Sequence, residues 1–294
     1  MNKVSILKKL KIDGLLKFIP DSLYLRFAYY VKVGKKLNLR NPQTFNEKIQ
    51  WLKLYDRKPE YTKLVDKYEV RKYIAETIGE EYLIPLLGVY DNFDEIDFDA
   101  LPNEFVLKPN HTSGNIYICK DKLKINYVEL KKEVNMWLKR RYYWVHREWP
   151  YKNIKPRIIC EKYMVDESGI ELKDYKIFCF NGEPKLIQVD YDRFSGHKRN
   201  LYDTEWNYIP ASIQYPTDPN TIIKKPNKLN EMLKLARILS KDYPHVRVDF
   251  YYVNDRIYFG EMTFYHGAGY EKFEPESLEM EMGSWLELPS KISK

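Results

Sequence analysis

Apolar residues recur at helical spacing in three early stretches of the chain. Over residues 1–19, Val4, Leu7, Leu10, Leu15 and Ile19 share one helical face, with Lys8, Lys9, Lys11 and Lys17 elsewhere. A second helix is predicted after Pro42 in QTFNEKIQWLKLY. A third is predicted in DKYEVRKYIAETIG, where Asp66 and Glu69 make a variant capping box and Gly79 a stop. From Phe93 the pattern changes to short apolar strands. EFVLKPN ends near Lys108, and the polar turn HTSGN leads into a second strand, IYICKD. A charged helical stretch, YVELKKEVNMWLKRRYYWV, comes next. RIICEKYM, DYKIFCF and EPKLIQVDYD read as strands, the last two joined at Asn181-Gly182, a strong hairpin signal. NKLNEMLKLARILS puts Leu229, Met232, Leu233, Ala236 and Leu239 on one helical face, with Asn227 as its expected cap. A final hairpin, RVDFYYVNDRIYFGEMTF, covers residues 247–264. The expectation is an α+β chain: a helical N-terminal region, then a body built on antiparallel sheets.

Composition narrows the classes. The 294 residues are 44% hydrophobic and 31% charged, as in a globular protein. No apolar run approaches the ~20 residues of a membrane span. The N-terminus lacks the apolar core and small-residue cleavage site of a signal peptide, so a cytoplasmic chain is expected. Cys119, Cys160 and Cys179 are scattered, without metal spacing and odd in number, which suits a reducing compartment. The net charge of +7 is local: residues 1–40 hold ten Lys/Arg against two Asp, a balance of +8 that leaves −1 for the rest. Nucleic acid is therefore not an expected partner, whereas the basic arm suits an anionic membrane surface or acidic glycan.

The last hairpin carries the chemistry. Each strand places a carboxylate, Asp249 or Glu261, among aromatic residues. Arg247, Asp249 and Tyr251 share one strand face, and Phe259, Glu261 and Thr263 share one face. A two-residue loop at Asn254-Asp255 sets the two acids on opposite sides of the hairpin. A three-residue loop sets them directly opposite each other, roughly 5 Å apart between Cβ atoms. In the second case two bare carboxylates repel, and a divalent cation relieves the conflict. Magnesium held by one or two carboxylates plus substrate phosphates is the usual phosphoryl-transfer arrangement. A structural Arg–Asp pair on a solvated face is the plainer alternative. Lys108 before the small-residue loop His111-Thr112-Ser113-Gly114-Asn115, and Lys176 two residues from Asp174 on one strand face, add phosphate-binding chemistry.

The order of these features, from Lys108 and its loop through Glu161-Lys162, Asp174-Tyr175-Lys176, Arg247-Val248-Asp249-Phe250 and Glu261-Met262-Thr263, resembles the ATP-grasp superfamily. LNLRNPQTFNEKIQWLKLYD, KLVDKYEVRKYIAETIG, FVLKPNHTSGN and DYKIFCFNGEPKLIQVDYDR are similar to its TupA-like branch, named for teichuronopeptide biosynthesis. The resemblance implies an ATP-grasp fold: two α+β lobes with antiparallel sheets clasping ATP, here residues 93–165 and 166–294 after the helical residues 1–92. It implies that Lys108 and Lys176 bind ATP phosphates with Lys67 as a third contact, and that Ser113 and Gly114 close over them. Glu161, Lys162, Tyr163 and Met164 hold adenine, Asp174 stands beside Lys176, Asp249 and Glu261 bind Mg2+, and Arg247 steadies the reacting phosphate. One departure is Thr263, where the superfamily usually has Asn as a metal ligand.

The implied activity is an ATP-dependent carboxylate–amine ligase acting through an acyl phosphate. The TupA-like branch points to a uronic acid carboxylate of a cell-surface polysaccharide (capsule, O-antigen or wall polymer) joined to an amino acid or other amine. Arg193, His197 and Arg199 are expected to receive the carboxylate, with Tyr265 and His266 near the reacting end. Two rival enzymes compete: a glycosyltransferase using a nucleotide-sugar through Asp190-Tyr191-Asp192, and an ATP-dependent sugar kinase. A glycan-binding module, suggested by the 26 tyrosines, is the non-enzymatic alternative.

Overall fold

A computed structural model describes residues 18–166, 169, 171–192 and 196–290. Of the basic helix expected over residues 1–19, all but the last two residues lie outside the described residues, as does Arg193.

The first described helix, α1 (Asp21–Val33), ends at Gly34, whose left-handed backbone (φ 83°) lets its N–H return to the Tyr30 carbonyl. Helix α2 (Phe45–Tyr55) starts with a full capping box: Thr44 Oγ1 accepts from the Glu47 N–H, and the Glu47 carboxylate accepts from the Thr44 N–H. The box expected at Asp66 and Glu69 is only half made. Asp66 ends a short helix, α3 (Glu60–Val65), and its carboxylate accepts from the Tyr68 and Glu69 N–H groups ahead of α4 (Val70–Thr77). The Glu69 side chain instead pairs with Arg157 at 2.9 Å.

A four-stranded antiparallel sheet follows, formed by β1 (Leu86–Tyr90), β2 (Phe105–Pro109), β3 (Tyr117–Cys119) and β4 (Ile158–Lys162) in the order β1-β4-β2-β3. Its first strand lies ahead of Phe93, where the sequence texture changes. Between β3 and β4, the long charged stretch forms α5 (Tyr127–Lys139) and a separate turn of helix, α6 (Tyr143–His146). Leu130, Val134 and Trp137 of α5 pack with Phe105, Leu107, Ile158 and Cys160 in a small core of their own.

The second sheet has six antiparallel strands: β5 (Asp174–Phe180), β6 (Glu183–Tyr191), β7 (Lys198–Tyr202), β8 (Tyr208–Ile209), β10 (His245–Val253) and β11 (Arg256–Thr263), in the order β11-β10-β5-β6-β7-β8. The β5–β6 turn is Asn181-Gly182, both with positive φ, as the sequence predicts. Two-residue strands β9 (Ser212–Ile213) and β12 (Phe273–Glu274) pair separately, before the last helix, α8 (Glu276–Trp285). Helix α7 (Leu229–Ser240) buries Met232, Leu235, Ala236 and Leu239 against one face of the large sheet. Leu235 joins that buried face, on which Leu233 is only partly buried, and Asn227 lies outside the N-cap position, which Lys228 occupies without a side-chain cap. Tyr24, Leu25 and Ala28 of α1 and Phe45, Ile49 and Leu52 of α2 belong to the same core, so these helices complete the large sheet's body. Cys119, Cys160 and Cys179 are all buried and free. Among the described residues, no helix is long and apolar enough to cross a membrane.

Candidate active site

The final hairpin resolves the question of its turn by an unexpected route. The loop has two residues, Asn254 and Asp255, both left-handed (φ 49° and 59°), and Val253 pairs with Arg256. In an uninterrupted ladder Asp249 would then face Gly260. A β-bulge intervenes: Phe250 pairs with Phe259, but Asp249 pairs with Glu261, leaving Gly260 as the extra residue. The bulge also reverses the expected relation of Phe259 to Glu261. Phe259 joins the buried side with Phe250, while Glu261 and Thr263 join Asp249 and Arg247. Glycine suits the position, because a Cβ there would stand 3.1 Å from the Asp249 carbonyl oxygen.

Register now builds the site. Asp249 pairs with Lys176 on β5, and Lys176 with Gln188 on β6, so Glu261, Asp249, Lys176 and Gln188 form one row across four strands. Two residues along, Asp174, Asp190 and Arg199 make a second row on the same face. Asp249 is only 1% exposed. Arg247 Nε donates to its Oδ1, and Arg247 Nη2 and Lys176 Nζ to its Oδ2, at 2.7, 2.7 and 2.8 Å. Lys176 also meets Asp174 at 3.1 Å. Burial alone would lower the Lys176 ammonium, but the charges of Asp174 and Asp249 raise it overall.

Glu261 is more open. Its closest cations are Arg247 Nη2 at 3.3 Å and Lys67 Nζ at 3.4 Å, and its side chain keeps 30% of its exposure. Burial pushes its carboxyl up, but the charges of Lys67, Arg247, Lys176 and Lys108 outweigh that and hold it at about 2. The last is the telling one, because Lys108 stands on β2 of the small sheet and Lys176 and Arg247 on the large sheet. Cations from both sheets therefore lie within electrostatic reach of one accessible carboxylate. Lys67 is fixed between them. Asp66 accepts from Asn110 Nδ2 at 2.9 and 3.0 Å, the Lys67 N–H donates to the Asn110 carbonyl, and Lys67 Nζ donates to the Thr112 carbonyl. The base of the 110–115 loop (Asn110, His111, Thr112) is buried, whereas Ser113 and Gly114 at its tip are exposed. Gly114 has a left-handed backbone (φ 80°) with open space around it, as a loop folding over an anion requires.

Other candidates sit differently from their expected roles. Glu161 is buried and pairs with Lys108 at 2.6 Å, with Arg71 Nη1 at 3.4 Å on its other oxygen. Its carboxylate thus lies on the sheet face beside Lys108, while exposed Lys162 and half-buried Tyr163 and Met164 continue off the strand end. Arg71 carries no motif signal beyond its helix and was not among the sequence candidates. Arg199, expected to receive a substrate carboxylate, is buried and already paired: its Nε donates to Asp190 at 2.8 Å, and its Nη1 to Glu271 and the Ile213 carbonyl at 3.1 Å. The same bonds answer the nucleotide-sugar reading. Asp190 is buried under Arg199, Gln188 and Lys176, whereas Asp192 is exposed, so the two acids do not form one metal site. His197 is half-buried, stacked on Tyr215 and 3.5 Å from Asp190. His266 is buried between Arg247 Nη1 and Glu271, each 2.7 Å away. An arginine only donates, so His266 Nδ1 accepts and the ring proton sits on Nε2, which is close to Glu271 without making an aligned hydrogen bond. Tyr265 is buried beside them.

Whether these residues fit a divalent cation turns on Glu261 and Asp249. Among the described residues there is no cluster of three His, Cys, Asp or Glu side chains. A Mg2+ site needs fewer when substrate phosphates complete it. Glu261, with only long contacts and an open side chain, fits that requirement. Asp249, the other expected ligand, fits less well in this arrangement, because Arg247 and Lys176 already engage both of its oxygens. The Thr263 hydroxyl accepts from Arg247 Nη2 at 3.1 Å and donates to Glu261 at 3.4 Å, so it supports Glu261.

This charge pattern predicts acid sensitivity. Burial raises Glu271 too, yet His266, Arg199 and Arg247 hold it at about 2, against 4.5 for an ordinary glutamate. Between these values the unfolded chain binds more protons, so stability increases with pH there and is lost as pH falls from 4.5 towards 2. Urea unfolding at pH 6 and pH 3 is expected to show the loss, and Glu271→Gln to reduce the difference. An unchanged difference would remove Glu271 from the account.

Residues 47–287 match the family described as TupA-like ATPgrasp. No curated protein matches the chain. Among solved structures, it is similar to the D-alanine–D-alanine ligase from Bacillus anthracis complexed with ATP, at 18% identity and TM-score 0.41, covering 69% of this chain and 55% of that one. The D-alanine–D-alanine ligase from Helicobacter pylori matches at 15% identity and TM-score 0.41, covering 83% and 69%. N5-carboxyaminoimidazole ribonucleotide synthetase from Thermus thermophilus matches at 11% identity and TM-score 0.36, covering 68% and 45%. The chain thus spans little more than half the length of the first of these. With the family match extending over most of its length, from α2 to just beyond the last helix, the chain belongs to the TupA-like ATP-grasp family.

Proposed function

We propose that the protein is an ATP-dependent carboxylate–amine ligase that joins an amino acid or other amine to a uronic acid carboxylate during cell-surface polysaccharide synthesis. The observation that carries this is the meeting of Arg247 and Lys67 on Glu261, at 3.3 and 3.4 Å, with Lys176 of the large sheet and Lys108 of the small one within electrostatic reach. These cations are paired with carboxylates in the described structure, and an incoming triphosphate would compete for them, most strongly where closed walls exclude water. The lysines neutralise the triphosphate of the substrate ATP. Arg247, aligned by Asp249 and His266, holds the phosphoryl group as it passes to the carboxylate oxygen. Ser113 and Gly114 cover it. Glu261 would hold Mg2+, with Asp249 as the second ligand that the family pattern implies, and the ion would supply further charge neutralisation at the phosphates. The amine then forms the C–N bond as phosphate leaves the acyl carbon. The basic residues of the N-terminal arm favour work at the inner face of the membrane, where they meet anionic lipid.

The test begins with thermal shifts of the full chain in ATP with Mg2+ and in UDP-sugars with Mn2+. A ligand at 100 times its Kd adds about 2.7 kcal/mol, which moves the melting point by several degrees. An Mg2+-dependent shift with ATP is expected, followed by hydroxamate formation from a uronic acid when hydroxylamine replaces the amine. A shift with UDP-sugar alone would overturn the reading.

A further inference from the structure

Beyond the cation-lined cleft, one buried cluster holds more polar groups than partners. Glu148 is 4% exposed and stands at the start of a short turn, Trp149–Lys152, which it does not cap. Its carboxylate has no hydrogen bond or ion pair among the described residues. The hydroxyls of Tyr265 and Tyr270 are wholly buried without partners among the described residues, whereas the Glu148 oxygens keep a little accessible surface. Both tyrosines lie within electrostatic reach of Glu148, as do Tyr142 and Tyr151. Native interiors seldom leave a carboxylate unpaired, and each instance calls for an explanation.

Lys53 is the obvious partner, yet it is committed elsewhere. An ammonium has three N–H donors. Those of Lys53 go to the Ala268 carbonyl at 2.6 Å, the His146 carbonyl at 3.1 Å and Gln50 Oε1 at 3.2 Å, all neutral acceptors. The charge of Lys53, and that of Lys32, reaches Glu148 without a direct bond. The cluster also adjoins the reacting end of the cleft. Tyr265 and Ala268 follow directly from Thr263 at the end of β11, and Glu148 and Glu261 lie within electrostatic reach of each other and of both Tyr142 and Tyr151.

We propose that Glu148 binds the ammonium group of the amine substrate and takes a proton from it. The inference rests on the ligase reading above and names the second substrate's subsite. An ammonium offers only donors, which suits a carboxylate without a donor of its own, and the surrounding tyrosine rings favour a cation. In the step, one N–H proton passes to the Glu148 carboxylate. The freed nitrogen lone pair forms the C–N bond to the acyl carbon, the C–O bond to phosphate breaks with its electron pair leaving on the phosphate, and the second proton that the nitrogen must lose passes to that departing phosphate. Burial pushes the Glu148 carboxyl up, an effect that the Lys53 charge only partly offsets. A carboxylate shifted towards neutrality is a stronger base than an ordinary one, which suits the transfer.

The test uses the full chain loaded with AMP-PNP and Mg2+, titrated calorimetrically with glycine, L-alanine, L-glutamate, L-lysine, ethanolamine and putrescine, and with glycolate and L-lactate as hydroxyl analogues. At least one amine is expected to bind the wild type, with its hydroxyl analogue weaker. Glu148→Gln is expected to weaken that amine about tenfold or more, the usual scale for a lost charged hydrogen bond, with the nucleotide's affinity unchanged. Its melting temperature should be no lower than wild type, since an unpaired buried charge is removed, and Glu148→Asp should recover part of the affinity. A purely structural Glu148 would instead lower the melting temperature and leave amine affinity intact. Equal amine affinity in Glu148→Gln overturns the inference. So does a wild type that binds AMP-PNP but none of the amines. A wild type that binds no AMP-PNP overturns the ligase reading itself, which keeps the two failures apart.

Discussion

Glu261→Gln is expected to lower turnover by roughly 100-fold or more, the scale seen when one charge-stabilising group is taken from a preorganised site. The substitution keeps the side chain's volume and removes its charge, leaving Lys67, Arg247, Lys176 and Lys108 around a neutral amide. That imbalance separates the roles of nucleotide and metal. ATP in the presence of EDTA should bind the variant as well as the wild type or better, because the surplus positive charge favours the triphosphate. The extra stabilisation that Mg2+ adds to ATP in the wild type should largely disappear. Thermal shifts with and without Mg2+, paired with ADP release, measure both. A variant that keeps the full Mg2+ increment would show that the metal is held elsewhere and that Glu261 is a structural partner of Lys67 and Arg247.

Arg247→Met should give the largest loss of stability, about 3–5 kcal/mol, as when one member of a buried ion pair is removed. Arg247 is 7% exposed and Asp249 1%. The guanidinium supplies two of the three charged bonds to Asp249 and also bonds Thr263 and the His266 ring. Without it, Lys176 alone must serve Asp249 while also facing Asp174. The double variant Arg247→Met/Asp249→Asn should be less destabilised than the two single losses added together, since the orphaned charge is gone. Urea unfolding of the four proteins closes the cycle. A single-variant loss below ~1 kcal/mol would mean that water replaces the guanidinium and that the pair is effectively at the surface.

Much of this site is legible along the chain because strands alternate faces strictly. Asp174 with Lys176, and Arg247 with Asp249, are i, i+2 pairs, and each is joined in the fold by a direct ion pair. The T-x-x-E of Thr44 and Glu47 is an equally local signal, since a capping box needs only the first turn of its own helix. What local reading misses are the groups whose meaning depends on distant neighbours. Arg199 looks like a free cation until Asp190 and Glu271 are placed beside it. Nothing local to Glu161 says that its carboxylate is taken by Lys108, which only β2 brings beside it. Glu148 has no motif at all. Its isolation exists only because Lys53, Tyr265 and Tyr270 come from elsewhere in the chain to enclose it.

The final hairpin shows where the division falls. The two strands, a turn of two or three residues at Asn254-Asp255 and the presence of a carboxylate on each strand follow from the sequence, because alternation and turn chemistry act over a few residues. That Asp249 meets Glu261 does not follow from them, since a regular two-residue hairpin pairs Asp249 with Gly260. The bulge decides it. It places Phe250 and Phe259 together on the side packed against the core and leaves both acids on the side facing the cations. Packing on one face of a sheet fixes the register of the other, so the core selects which carboxylates meet, a choice that only the folded chain can make.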